Sequence, residues 1–388
     1  MPRSSEKRRA VRRLQKIIQE HDLDDYYRAE LDRVQAKRYY VRSEKYRKRE
    51  DRWVQLLHDE GYLNDTEFLA HFRVTRSAFW KLVNLIKHDP LFQTAPHRTF
   101  RGEADLHLLV LLKFLGTYGN DNTSPKLAAL SPNYLGRATE AILALEKSTI
   151  TWPDDAERKA IAERIQVKYG FPNCVGMVDG TLLPLECKPQ VNGEDYFTRK
   201  GGYALNALIT CDDVARVRDV VVGWPGSVHD NRVWSNTAIH QNPAEHLAQN
   251  QYLLGDSAFQ ASAIMIPAFK KPPKAELDQN KTYFNKKLAK PRVKTEHMIV
   301  FQIDPCRAQD KGELEDNHSL LHVWCILHNL LIAEPVPDDW KLEIKKLIKE
   351  NKANHLGAKD ELNLPISQNA RGDERRKQLF AYLLELRG

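Results

Sequence analysis

A mixed α/β domain flanked by helices, preceded by a helical N-terminal region, is the fold class this sequence predicts. Three observations predict it. Up to about residue 165 the apolar residues recur at helical spacing. At about residue 173 the texture changes to short β-branched and aliphatic runs separated by turn residues. Beyond residue 290 the helical spacing returns. A chain of 388 residues suggests two or three domains. The reading is a basic helical arm (1–60), a helical, helix-turn-helix-like region (61–165), an α/β domain (170–335) and C-terminal helices (336–388).

The first 60 residues hold no Gly and no Pro after Pro2, so they favour helix. In residues 66–72, Phe68 and Phe72 stand four apart. Thr75 is placed to cap a second helix with Phe79, Val83 and Ile86 on one face. Two short helices with a tight turn resemble a helix-turn-helix, and equally an ordinary bundle corner. Residues 104–115 read as a buried helix and 137–147 as another. Strands follow at 175–185, 203–210 and 217–222, with turns at Asn192-Gly193 and Asp212-Asp213. A short helix is expected over 231–240, a fourth strand at 252–254 and a Pro/Lys-rich linker over 270–281. Helices are then expected from 291 to 301, with Pro291 in its first turn, and over 314–333, 340–351 and 374–386.

Composition narrows the function classes. With 42% hydrophobic and 29% charged residues, the chain can build a core and a solvated surface, which excludes disorder throughout. The longest apolar run, 106–115, carries His107 and Lys113 and falls short of the ~20 residues a membrane span needs. No membrane partner and no secretory signal are expected. Five cysteines without CxxC or zinc spacing read as reduced thiols of an intracellular protein. Residues 1–50 hold 16 Lys/Arg against 9 Asp/Glu, a difference of +7 that equals the net charge of the whole chain. Such an arm fits phosphate contacts or nuclear import, or else a solvated helix face.

Four carboxylates stand where an α/β domain places chemistry. Asp179 lies inside the first strand, Asp230 just after the third, Asp256 at the end of the fourth and Glu296 on a helix. A buried carboxylate needs a partner or a metal. Acids converging from strand ends and a helix can share two divalent cations ~4 Å apart, which clamp both oxygens of a phosphoryl displacement. Hard oxygen ligands suit Mg²⁺ or Mn²⁺ rather than zinc. Arg292, one turn before Glu296, is placed to hold that carboxylate or a phosphate. Each acid also has an ordinary reading: Asp179 and Asp256 in turns, Asp230 as a helix cap, Glu296 exposed. Spacing alone leaves both open.

The residues around these acids carry a resemblance. Residues 170–181 read GFPNCVGMVDGT, and 196–200 read YFTRK. They are followed by GWPGSVHDNRVW (223–234), YLLGDSAF (252–259), RVKTEH (292–297) and CILHNLL (325–331). In order and spacing these segments resemble the PIF/Harbinger superfamily of DDE transposases and the nucleases derived from them. Weaker similarity extends back to residues 71–82. The resemblance implies an RNase H-like mixed sheet over 170–335 and a metal-dependent nuclease that cuts DNA at transposon ends. It matches Asp179, Asp256 and Glu296 to the catalytic, metal-binding set, with Asp230 as a further ligand or an orienting group. It also implies a nuclear protein that acts on DNA with a Myb-like DNA-binding partner, and possible homo-oligomers.

Arg199, Lys200, Arg292 and Lys294 are the expected DNA contacts. The aromatic-basic cluster with Tyr196 and Phe197 also fits a plain hairpin rim. His328 reads as a buried, hydrogen-bonded histidine, and Trp224 and Trp234 as core. Two segments depart from the family pattern. Residues 298–305 (MIVFQIDP) lack the basic residues expected after the glutamate, and 120–137 is short for the expected helix-turn-helix. A repurposed, non-cleaving DNA-binding or chromatin-associated protein is the alternative.

Overall fold

In the computed structural model, residues 6–21, 25–36, 52–59, 62–92, 103–116, 132–185, 187–272, 276–300, 311–334 and 370–387 are described. The chain divides into two compact units, Met1–Leu63 and Asn64–Gly388. In the first, the helices Glu6–His21 and Asp25–Ala36 pack on one another. Arg8, Arg12 and Arg13 are exposed on the first of them. The expected cluster at 45–49 lies outside the described residues.

The second unit opens with the two-helix corner. Asn64 accepts from the Glu67 N–H at 2.9 Å while the Glu67 carboxylate accepts from the Asn64 N–H at 3.0 Å, and Asp65–Phe72 follows. Thr75 caps Arg76–Ile86 as the sequence predicts, its hydroxyl accepting from Ala78 at 3.1 Å. Phe68 and Phe79 are fully buried, and both helices pack on Ala104–Gly116. The helix expected over 137–147 runs Pro132–Leu143, with a further turn at Glu146–Thr149. Asp155–Tyr169 is a helix the sequence reading missed. Its capping signals, Asp154 and Gly170, are clear, but only Ile161, Ala162 and Ile165 are buried among many charges.

Five strands form one mixed sheet in the order β3-β2-β1-β4-β5. They are β1 (Cys174–Pro184), β2 (Ala204–Cys211), β3 (Val217–Pro225), β4 (Tyr252–Gly255) and β5 (Met265–Pro267). The pairs β1–β2 and β2–β3 are antiparallel, whereas β1–β4 and β4–β5 are parallel. β5, three residues long, was not expected. The architecture is that of an RNase H-like mixed α/β fold.

Pleat alternation sorts β2 between two layers. Leu205, Ala207, Ile209 and Cys211 pack toward Leu321 and Cys325 of the helix Lys311–Leu331, while Leu208 packs with Val233 and Trp234. Trp224 borders that second cluster. A third cluster joins Met177, Tyr252 and Leu254 to Phe284, Leu288 and Leu383. Residues Leu379 and Leu383 belong to the helix Ala370–Glu385, close to the helix expected at 374–386. The helix expected at 340–351 lies outside the described residues.

One boundary needs correction. Pro291 does not open its helix; the helix runs Gln279–Val300 with Pro291 inside it. Asp278 starts it, accepting from the N–H groups of Asn280 and Lys281 at 3.0 and 3.3 Å. An interior proline costs roughly 3 kcal/mol. Complete burial of Phe284 and near-complete burial of Leu288 offset this by roughly 2–3 kcal/mol each. Tertiary packing thus turns the end of the supposed linker into helix.

Candidate active site

The site starts from the register of β1. Asp179 is opposite Ile209 of β2, deep in the strand rather than in a turn, and only 9% exposed. On its other side β1 meets β4 in parallel, with Met177 beside Leu254. Two residues beyond that last pair stand Asp179, still within β1, and Asp256, just past the end of β4, so the parallel register carries both acids toward the same end of the two strands. Asp256 begins the turn after β4, its Oδ1 accepting from the Ala258 N–H at 2.8 Å.

Asp230 arrives from the opposite side. After β3 the chain turns at 226–229 and is pinned back onto the sheet, where the Gly226 N–H donates to Ala204 O at 2.9 Å. The cap of the helix Asp230–Ser235 is His229, whose Nδ1 accepts from Asn231 at 3.2 Å. Asp230 is therefore not the cap, and its carboxylate is directed at the sheet. Its Oδ1 accepts from Asn206 Nδ2 of β2 at 2.8 Å. It also lies against Gly180, where a Cβ would meet its carboxylate atoms at 2.5–2.8 Å. Burial pushes the Asp230 carboxyl above its ordinary value and the charge of Asp256 adds to this; Asn206, His229 and Arg199 oppose it.

The basic residues divide into two groups. Arg292, on Gln279–Val300, is 9% exposed, and its Nη2 donates to Asp179 Oδ1 at 2.9 Å. It holds the strand acid. Arg199 and Lys200 are exposed in the β1–β2 connection, where the Thr198 N–H donates to Gly202 O at 2.8 Å to close the turn. Burial lowers the Lys200 ammonium below its ordinary value and the charge of Asp230 opposes this. Phe197 is 47% exposed on the same rim. Glu296 is one turn beyond Arg292 on the helix; its side chain and that of Lys294 lie outside the described residues.

Sequence reasoning missed Asn206, Gly180 and Asn231, whose Oδ1 accepts from Gln260 N–H at 2.8 Å and ties the Asp256 turn to the Asp230 helix. The available signal for Asn206 was a polar residue in the apolar run Ala204–Cys211. Among the described residues no three His, Cys, Asp or Glu side chains form a ready-made metal cage. The donor set nonetheless fits a hard divalent cation. Asp179 and Asp256 each follow the last β1–β4 pair by two residues, the charge of Asp256 pushes the Asp230 carboxyl upward, and every donor is a carboxylate oxygen.

Residues 178–329, which run from the residue before Asp179 to the CILHNLL helix, match the model of the DDE superfamily endonucleases. The matched stretch is a DDE superfamily endonuclease domain, and the chain is similar to Harbinger-derived nucleases. HARBI1 of Homo sapiens, named as a nuclease, is 29% identical over 126 residues, 32% of this chain and 36% of that protein. Protein ALP1-like of Arabidopsis thaliana is 21% identical over 325 residues, 76% of this chain and 77% of that protein. Antagonist of like heterochromatin protein 1, from the same plant, is 22% identical over 42% of this chain and 43% of its own length. The chain spans 36–62% of the length of the HARBI1 proteins it matches. No solved structure matches it. The DDE domain contains Asp179, Asp230, Asp256 and Glu296, and members of the superfamily generally use divalent metals. Among the described residues no helix is long and apolar enough to cross a membrane.

Proposed function

We propose that this DDE protein is a nuclear, metal-dependent DNA endonuclease that cuts phosphodiester bonds at transposon ends and joins them to target DNA. The observation that supports this most is the parallel β1–β4 register, which carries Asp179 and Asp256 toward one end of the two strands, with the charge of Asp256 felt at Asp230. These three and Glu296 would hold Mg²⁺ or Mn²⁺, which when bound stabilises charge developing on the scissile phosphate. Arg199 and Lys200, exposed in the β1–β2 connection, would with Lys294 hold the phosphates of the DNA backbone. Arg292, which donates to Asp179, would keep that carboxylate in place for the site. A Myb-like DNA-binding partner and self-association belong to this reading.

A repurposed, non-cleaving DNA-binding or chromatin-associated protein is the second reading. The observations that favour it are the Arg292–Asp179 pair, which satisfies one carboxylate within the protein, and the likeness to a protein named as an antagonist of a like heterochromatin protein. The experiment is nicking of DNA carrying the ends that flank its gene, with Mg²⁺ or Mn²⁺ and with or without a Myb-like partner. Cutting by the unaltered chain and its loss in Asp179→Ala is the expected result. Salt-sensitive DNA binding without cutting selects the second reading.

A further inference from the structure

Asp230 is held by two features that the endonuclease motif does not explain. Asn206 is 2% exposed in β2, and its Nδ2 donates both to Val228 O and to Asp230 Oδ1, each at 2.8 Å. Both partners are acceptors, so the orientation of the amide is fixed by chemistry. Asn206 Oδ1 is left buried without a hydrogen-bond partner. An unmet buried acceptor is costly, so this side chain is placed for its donor at the expense of its acceptor. Gly180 is the second feature. It follows Asp179 directly, and Asp230 Oδ2 lies 2.5 Å from where a Cβ at 180 would stand. Any other residue at this position would displace the carboxylate.

We infer that Asn206 and Gly180 form a seat that fixes the Asp230 carboxylate for the proposed nuclease, with Asn206 its positioning residue. The amide ties Oδ1, and the missing side chain of Gly180 lets Oδ2 lie against the β1 backbone beside Asp179. Asp230 thereby presents one oxygen to a cation rather than swinging away from Asp256. The same amide, through Val228 O, fixes the loop that delivers Asp230, so loop and carboxylate move as one piece. This inference rests on the metal-dependent reading. It goes beyond that reading by naming two residues that carry no ligand atom.

The test is Mn²⁺ binding to the full chain, read from the electron paramagnetic resonance signal of free Mn²⁺. Asn206→Ala is expected to weaken binding by about 10- to 100-fold, as loss of a ligand-orienting partner does. Asp230→Ala is expected to weaken it at least as much. The double variant is expected to bind no worse than Asp230→Ala, because a residue acting only through Asp230 has nothing further to lose. Additive losses would mean a general structural role and overturn the inference, as would unchanged affinity in Asp230→Ala. Gly180→Ala leaves Asn206 and its bond to Val228 O in place while pushing on the same carboxylate, so it tests the seat even if Asn206→Ala does not fold. It is expected to lose a comparable factor, and full affinity in a folded Gly180→Ala protein overturns the seat. Failure of the unaltered chain to bind Mn²⁺ sinks the metal-dependent reading itself; binding in that chain with no change in the variants sinks only the seat.

Discussion

Aspartates gather both beyond the C-terminal end of β2 and alongside it, and the two groups are treated in opposite ways. Beyond its C-terminal end, Asp212 is fully buried and accepts from the N–H groups of Val214 and Arg216 and from Arg218 Nε, at 2.9–3.0 Å. Asp213 takes a two-pronged grip from Arg164 at 2.7 and 2.8 Å. Arg218 also reaches Glu157. Each aspartate there has a guanidinium of its own. At the acid site, Asp230 has a neutral amide, Asp256 a backbone N–H and Asp179, opposite Ile209, a guanidinium. The first arrangement is finished and structural. The second sets Asp230, whose carboxyl is pushed upward by burial and by the charge of Asp256, against a neutral amide, the arrangement the proposed cation site calls for.

The largest test of this contrast is Asp256→Ala. It is expected to lower Mn²⁺-dependent cutting by about 1,000-fold or more, as loss of a group that acts only in the transition state does. Its thermal stability should hold or rise, since Asp256 repels Asp230. A large drop in melting temperature together with the loss of cutting would place Asp256 with the structural acids.

In the other group, Arg218→Ala is expected to cost roughly 3–5 kcal/mol of folding free energy, because it leaves Asp212 buried without its cation. Urea unfolding measures this, and a cost under about 1 kcal/mol would break the contrast.

Arg292→Gln sits between the two. Removing a buried charge partner of Asp179 should cost roughly 2 kcal/mol in metal-free buffer. Saturating Mn²⁺ should restore most of it by binding the folded state. If Mn²⁺ restores none, Arg292 is a structural partner like Arg218.

The smallest effect concerns His328, whose Nε2 donates to Ala215 O at 2.7 Å in the structural turn, as expected of a buried histidine. Burial holds its pKa below 6.5, with that hydrogen bond and Asp212 opposing. The folded state therefore favours the neutral ring. Its contribution is fully present above 6.5 and is lost as pH falls through the lowered folded value. His328→Gln should flatten this acid limb of melting temperature against pH by a few degrees; an unchanged limb assigns the loss to other groups.

Much of the fold was legible because its signals are local. Thr75 caps its helix, four of the five strands read as β-branched or aliphatic runs, and the acid-bearing motifs stand in family order. The misses share one cause. The helix Asp155–Tyr169 buries little, β5 spans three residues, and Pro291 hid a helix anchored by Phe284 and Leu288. In each case distant packing outweighed a weak or contrary local preference.

At the candidate site the division is sharper. The sequence alone determined which residue types are available: four acids, their order, and the basic residues around them. Tertiary structure decided that Asp230 faces the sheet instead of capping its helix, that Arg292 holds Asp179, and that Asn206 and Gly180 seat Asp230. Those pairings join β1 to residues 113 positions away, and β2 to residues 24 away. Periodicity reports which face a side chain takes; only strand register and loop path decide what it meets there.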